Sequence, residues 1–379
     1  MSGADAALRT LNSPRLFEQA PLDDALDDAL QTYVSAETRP RRDSPSDSEH
    51  RQAHSAERLS QYVTGGQWRA LALAASATIQ ATAANEEHTL LNLWVYRILA
   101  LLMLQQQGGA QAAEREVAKL EHATRYASVA RSGGKSPTIA WPFELRLLRA
   151  RIPGAAHDDW AESAARLCAL LRGCRRVLPS AVGERAMRYT RRVFRVSLMI
   201  TTCAMRLGDC ALAVQMLDRL LVGSDDPRLI SAVARTYLQL GAVPAAERLF
   251  ISVEKLAAGD AIVLVNRAMF AVAAGKWDVA RDLFARVFAD HPDRIAAGNN
   301  AAICDLYLGN PQAMLSALQH LMVTAPTAAG TAEELVFNYC TGLDLHYDGS
   351  KLREAKIKKM IEVGMWAGDS FDMRSFKIQ

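Results

Sequence analysis

The stretch Gly275-Lys276-Trp277-Asp278-Val279-Ala280-Arg281-Asp282-Leu283-Phe284-Ala285-Arg286-Val287 decides the fold. A glycine is followed five residues later by a small residue and nine and twelve later by large apolar ones, and Pro292 stands seventeen after it. The register recurs from Gly208 (Ala213, Leu217, Leu220), Gly241 (Ala246, Phe250, Val253) and Gly309 (Met314, Leu318, Leu321), with Pro326 again seventeen residues on. The four glycines are 33, 34 and 34 residues apart. Each unit reads as a helix, a turn at the glycine, and a second helix of about 14 residues that the proline stops. The small residue lets two backbones approach, and the large one fills the space beside them.

That period and grammar are those of tetratricopeptide repeats. Four are expected, at 194–226, 227–260, 261–294 and 295–328. Upstream, Gly66-Gln67-Trp68 opens one helix, and Gly108-Gly109 followed by Ala113, Val117 and Leu120 opens another's second half. Residues 56–193 therefore read as degenerate helical hairpins. A loop is expected at 127–142, where Gly133, Gly134, Ser136 and two prolines gather. Residues 329–379 supply closing helices and a tail, with Thr331–His346 and Leu352–Val363 covering the apolar end of the stack. Residues 1–55 read as a disordered arm, since Arg39–Arg51 is charged and has no apolar period. Within it, leucines at 22, 26 and 30 with aspartates between them form an acidic amphipathic helix in waiting at 22–30. The fold class expected is all-α: a right-handed tetratricopeptide-like helical-hairpin solenoid with a disordered N-terminal arm.

Composition removes several classes of function. The 379 residues are half apolar, and 44 basic against 41 acidic side chains leave a net charge of +3, so bulk charge favours neither nucleic acid nor an anionic membrane. The N-terminus has no basic start followed by an apolar segment, and six cysteines without a C-x-x-C pair suit a cytoplasmic chain of buried thiols. The apolar stretch Thr89–Leu104 is interrupted by Asn92 and Arg97 and reads as a buried helix, too short to span a bilayer. Gly133-Gly134-Lys135-Ser136 resembles the end of a phosphate-binding loop, but the first glycine of that motif is replaced by Val129. No zinc-protease, nucleophile-elbow or dinucleotide motif occurs, and Glu86-Glu87 and Asp158-Asp159 read as helix starts. Neither catalysis nor a cofactor nor a metal is expected.

Surface remains. In tetratricopeptides the first helix of each repeat lines a concave groove, and that likeness implies the groove positions here. They include Arg195 and Arg206 in the first repeat, Arg228 and Arg235 in the second, Ile262, Val265 and Met269 in the third, and Asn299, Ile303, Leu306 and Tyr307 in the fourth. A groove basic at one end and apolar at the other suits an acidic, apolar partner segment, either from another protein or the chain's own 22–30. Arg185, Arg188, Arg192 and Arg195 on one helix read equally as a solvated face, and the apolar stretch as one filled by the closing helices. A chaperone carboxylate clamp has its asparagines in Asn266 and Asn300, but Leu198, Ser231 and Val265 stand where it needs lysines.

Several segments resemble a known family. Asn299-Asn300-Ala301-Ala302-Ile303-Cys304 with Tyr307-Leu308-Gly309, then Glu334-Leu335-Val336-Phe337-Asn338 and Gly368-Asp369-Ser370-Phe371, resemble the C-terminal tetratricopeptide half of trafficking protein particle complex (TRAPP) subunit 12. Gln67-Trp68-Arg69-Ala70, Leu93-Trp94-Val95 with Arg97, and Pro142-Phe143 with Leu145-Arg146-Leu147 look like earlier landmarks of the same family, so the resemblance covers about residues 60–379. It implies a non-catalytic scaffold of a TRAPP III-type tethering complex that acts as exchange factor for a Rab1-type GTPase in ER-to-Golgi transport and autophagy. The implied partners are other TRAPP subunits, the large arm subunits above all, with the GTPase and the membrane reached only through the complex and no nucleic acid. The implied location is cytoplasmic, peripheral to ER-Golgi intermediate and early Golgi membranes. Animal members carry a much longer N-terminal region, which puts any function of that region, a mitotic one included, in doubt here. The alternatives are a stand-alone tetratricopeptide adaptor for an acidic or apolar peptide, and a nucleotide-handling enzyme using the loop around Lys135.

Overall fold

The computed structural model describes residues 11–21, 23–40, 42, 52–104, 108–132 and 139–378, with backbone alone at 129–132. In chain order the helices are α1 (Ala25–Tyr33), α2 (Ala56–Thr64), α3 (Trp68–Ala81), α4 (Glu87–Met103), α5 (Gly109–Ser132) and α6 (Phe143–His157). Then come α7 (Trp160–Val177), α8 (Glu184–Arg206), α9 (Cys210–Leu221), α10 (Pro227–Gln239), α11 (Val243–Leu256) and α12 (Ala261–Ala273). The last six are α13 (Trp277–Asp290), α14 (Ile295–Tyr307), α15 (Pro311–Thr324), α16 (Pro326–Ala329), α17 (Glu333–His346) and α18 (Gly349–Gly364). No strand occurs among the described residues. The fold is an all-α tetratricopeptide-like solenoid of helical hairpins, in two compact units. The first holds the described parts of 1–24, 43–216 and 368–370, and the second those of 25–42, 217–367 and 371–379.

The second unit shows why the repeat glycines are glycines. At Gly241, Gly275 and Gly309, φ is 75°, 71° and 82°, the left-handed region where a side chain is strained. Each ends a helix in the same way. The residue after the glycine donates its N–H to the carbonyl five residues back (Ala242 to Tyr237, Lys276 to Ala271, Asn310 to Asp305), satisfying an orphan helix carbonyl. The next helix starts within two residues, so α10/α11, α12/α13 and α14/α15 are antiparallel hairpins. Ala246, Ala280 and Met314 are fully buried at the crossings, and Phe250, Phe284, Leu318, Val253, Val287 and Leu321 are buried beside them.

The far end of this unit is closed by α17 and α18, whose Leu335, Val336, Cys340, Met360 and Val363 join Leu318 and Leu321 in one cluster. Two further segments complete it: Phe371 and Phe376 of the tail, and Leu26, Leu30 and Val34 of α1.

The arm is therefore not disordered where it is described, and the expectation for 1–55 is corrected there. The acidic helix forms as Ala25–Tyr33, with Leu26 and Leu30 buried and Asp28 exposed. It docks on the closing helix α18 rather than in an arginine-lined groove. Full burial of a leucine contributes about 1.5–3 kcal/mol. Leu22 and most of Arg39–Arg51 lie outside the described residues, as does Gly133-Gly134-Lys135-Ser136.

The first unit packs α2 to α6 around Leu71, Ile79, Leu90, Trp94, Ile98 and Leu101. Most of Thr89–Leu104 is, as expected, a largely buried helix, the part of α4 from Thr89 to Met103. The arm again takes part: Leu11 is buried, Trp94 Nε1 donates to Leu11 O at 3.0 Å, and Phe17 stacks on Trp94 with centroids 4.9 Å apart. At the centre lies a buried ion pair. Arg97 Nη2 meets Glu116 Oε1 at 2.5 Å and Nε meets Oε2 at 3.0 Å. Arg97 also donates to Ala72 O and Glu18 O, and Glu116 accepts the Glu18 N–H, so the two charges are paired and hydrogen-bonded, as burial requires.

Two expected boundaries fall elsewhere. The loop at 127–142 begins later, because α5 runs to Ser132 and keeps Thr124, Ala127 and Ser128 buried along its inner face. The division at 193/194 falls inside α8, which is unbroken from Glu184 to Arg206 because no glycine or proline lies between Gly183 and Gly208.

Candidate interaction cleft

Helix α8 carries arginines at 185, 188, 191, 192 and 195, spacings of three and four that set most of them on one face. The opposite face decides how the helix lies. Val196, Ile200 and Cys203 are buried with Leu167, Leu170 and Leu171 of α7 and Phe143, Leu147 and Ala150 of α6. With those positions held inward, the arginine face turns toward the start of α6 and a cleft of about 540 Å³ opens between them. Phe143, Glu144, Glu184, Met187, Arg188, Arg191, Arg192 and Arg195 line it.

Its electrostatics are unbalanced. None of Arg188, Arg191, Arg192 and Arg195 has a carboxylate partner among the described residues. Arg192 lies over the Phe143 ring at 4.4 Å and the Tyr189 ring at 5.2 Å, which fixes one guanidinium on the aromatic wall. The Arg151 guanidinium, just beyond, has its pKa lowered by desolvation and then by the like charge of Arg195. Like charges held together at some electrostatic cost, beside apolar Phe143 and an exposed Met187, form a surface suited to an anion with an apolar neighbour.

Of the residues singled out in the sequence, Arg195 lies in this cleft. Arg206, at the end of α8, sits over the Trp160 ring at 5.6 Å. Arg228 is exposed at the start of α10, where its N–H is capped by Asp226. Arg235 is half-buried, with Nε donating to Ser231 O, and desolvation lowers its pKa. Arg195 and Arg206 belong to the first unit, Arg228 and Arg235 to the second.

The apolar positions are less open than a groove reading supposes. Ile262 packs by Ile230 and Val253; Val265 and Met269 pack on the Phe284 cluster; Ile303 and Leu306 pack on the cluster closed by α17 and α18. All five are half-buried. Asn299 Oδ1 accepts from Asn338 Nδ2 at 3.0 Å, which explains the pairing of two family-like segments. Tyr307 is exposed and stacks on Trp277, with centroids 4.0 Å apart and planes 5° apart. Asn266, a clamp asparagine, is buried and donates to Ser231 Oγ at 2.6 Å.

Sequence reasoning weighed Arg188 and Arg192 only as a solvated face, and missed Arg191, Met187, Phe143 and Glu144 as parts of one surface. The spacing on α8 was a signal for the arginines, but nothing in sequence pointed to α6 as the opposite wall. Among the described residues, no group of three or more His, Cys, Asp or Glu is placed to hold a metal ion, and no helix is long and apolar enough to cross a membrane.

No family model matches the chain. Over 195 residues it is 29% identical to trafficking protein particle complex subunit 12 of Mus musculus, covering 49% of this chain and 24% of that protein. To the Homo sapiens protein of the same name it is 28% identical over 195 residues, covering 49% and 26%. The chain thus spans about a quarter of the length of the curated relatives it matches. Among solved structures it resembles a tetratricopeptide repeat protein from Parabacteroides merdae (11% identity, TM-score 0.42, 73% of this chain and 99% of that one). Yeast Tom70 is similar at 11% identity and a TM-score of 0.38, over 81% and 77% of the two chains. The chain is a tetratricopeptide-like protein, similar over half its length to TRAPP subunit 12.

Proposed function

We propose that this chain is a non-catalytic scaffold subunit of a TRAPP III-type tethering complex, one that acts as exchange factor for a Rab1-type GTPase in ER-to-Golgi transport and autophagy. The observation that carries the reading is the similarity to mouse and human TRAPP subunit 12 over 195 residues. The architecture supports it, since stacked hairpins offer long surfaces to several partners at once. In this reading the chain links the large arm subunits to the rest of the assembly, reaches the GTPase only through the complex, and works in the cytoplasm at the surface of ER-Golgi intermediate and early Golgi membranes.

Tagged protein purified from gently lysed cells should elute at a fixed large size with several TRAPP subunits near stoichiometry and with exchange activity toward a Rab1-type GTPase. Elution as a monomer, with no TRAPP subunit recovered, overturns the assignment. The second reading, a stand-alone adaptor for an acidic peptide, draws on the unpaired arginines of the α6/α8 cleft. It predicts the monomer.

A further inference from the structure

Four arginines crowd one side of the α6/α8 cleft, and none of them forms an ion pair among the described residues, although Glu144 and Glu184 line the same cleft. Exposed like charges repel and are ordinarily dispersed or paired. Here they surround an exposed apolar side chain, Met187, 58% exposed, while the buried Phe143 ring lies under Arg192. We infer that this cleft is the docking site for an acidic segment of a partner protein, with an aromatic or aliphatic side chain seated on Met187 and flanking carboxylates on Arg188, Arg191 and Arg195.

The lining selects among anionic partners. Glu144 and Glu184 share the cleft with the arginines, so a continuous row of phosphates would meet repulsion as well as attraction, whereas a peptide presents charges at discrete positions. Guanidinium forks match carboxylates in bidentate geometry, and an apolar anchor ringed by such pairs is the usual composition of a strong contact. The inference rests on the chain being a protein-interaction subunit, and not on which assembly it joins.

The test uses the full chain and a fluorescein-labelled twelve-residue peptide of Asp and Glu around a central Leu-Phe pair, read by fluorescence anisotropy. Two triple variants carry the same change in net charge: Arg188→Glu/Arg191→Glu/Arg195→Glu in the cleft, and Arg172→Glu/Arg175→Glu/Arg176→Glu on α7 outside it. The cleft variant should lose at least tenfold in affinity while the α7 variant stays within about twofold, with circular dichroism confirming both folds. Met187→Ser should weaken binding about threefold to tenfold, and a peptide with Ser-Ser at its centre should lose as much. Equal losses in the two triple variants, or equal binding by the Ser-Ser peptide, would mean bulk charge attraction and overturn the inference. Tighter binding of a twelve-nucleotide single-stranded RNA through the same arginines would overturn it in favour of nucleic acid. Peptide binding at the cleft by a chain that co-purifies with no TRAPP subunit would leave this inference standing and the assembly assignment refuted.

Discussion

Arg69 grips Asp369 from 300 residues away: its backbone N–H donates to Oδ2 at 2.8 Å, and Nε and Nη2 donate to Oδ1 at 2.8 and 2.6 Å. The same Nη2 reaches Asp24 Oδ2 at 2.8 Å, so one buried guanidinium ties the arm and the tail to the start of α3 within the first unit. Two of the family-like motifs, around Gln67-Trp68-Arg69 and Gly368-Asp369-Ser370, are thereby explained as halves of one contact.

Removing the cation leaves two carboxylates facing each other in a site with little water. Arg69→Ala is expected to destabilise the first unit by about 3–5 kcal/mol, and Asp369→Asn, which keeps part of the bonding, by about 1–3 kcal/mol. Urea unfolding together with amide exchange in α3 reads both. Energies for the two changes that simply add in the double variant would refute a direct coupling.

Two carboxyl groups of the second unit should give opposite pH signatures. Burial raises the Asp344 pKa, but hydrogen bonds from Lys356 Nζ (2.6 Å) and Lys377 Nζ (2.8 Å) outweigh it and hold the group below its usual 3.8. Its stabilisation is complete above that value and disappears as pH falls through the depressed folded pKa. Asp344→Asn should therefore destabilise at pH 7, with the difference closing as pH drops below about 4. Glu333 is raised above 4.5 because burial outweighs the N–H it accepts from Asp372. That favours folding below 4.5 and is lost as pH rises through the folded pKa, so Glu333→Gln should be neutral or stabilising at pH 7. Thermal unfolding from pH 3 to 8 compares the two, and parallel curves would contradict both assignments.

The thiols should react in an order set by burial. Cys340 is pushed up to about 12 and Cys304 to about 11, in each case chiefly by desolvation, while Cys210 is exposed at the start of α9. Since the thiolate is the reactive form, iodoacetamide at pH 8 should alkylate Cys210 first and reach Cys304 and Cys340 only on unfolding. Mass spectrometry of a labelling time course gives the order; early modification of Cys340 would show that its cluster opens readily.

Gly275→Ala tests the repeat turn itself. A Cβ there meets no atom within 4 Å, so the cost is that of the backbone at φ +71°, about 1 kcal/mol. A change in urea midpoint no larger than that of an exposed alanine substitution elsewhere would mean that the turn is relaxed.

The hairpins from 227 to 324 were legible because everything that forms them is local: a left-handed glycine, a carbonyl capped five residues back, a small residue and a large one in register. The arm was misread for a related reason. Leu26 and Leu30 are too few to form a core alone, and what buries them, Met360, Val363 and Gly364, lies more than 300 residues further on. Arg188 and Arg192 looked like a solvated face because their environment depends on Phe143, which belongs to another helix.

By itself the sequence determined that this protein is a stack of helical hairpins with a fixed period and closing helices, since helix termination and apolar register are set by neighbours within a few turns. Only the tertiary structure decided that arm and tail are parts of the two cores, that Arg69 and Arg97 are buried with their carboxylates, and that the arginines of α8 face an aromatic wall across a cleft. Charge pairing and burial depend on distance in space, and no local pattern encodes which residues, 19 or 300 positions apart, will meet.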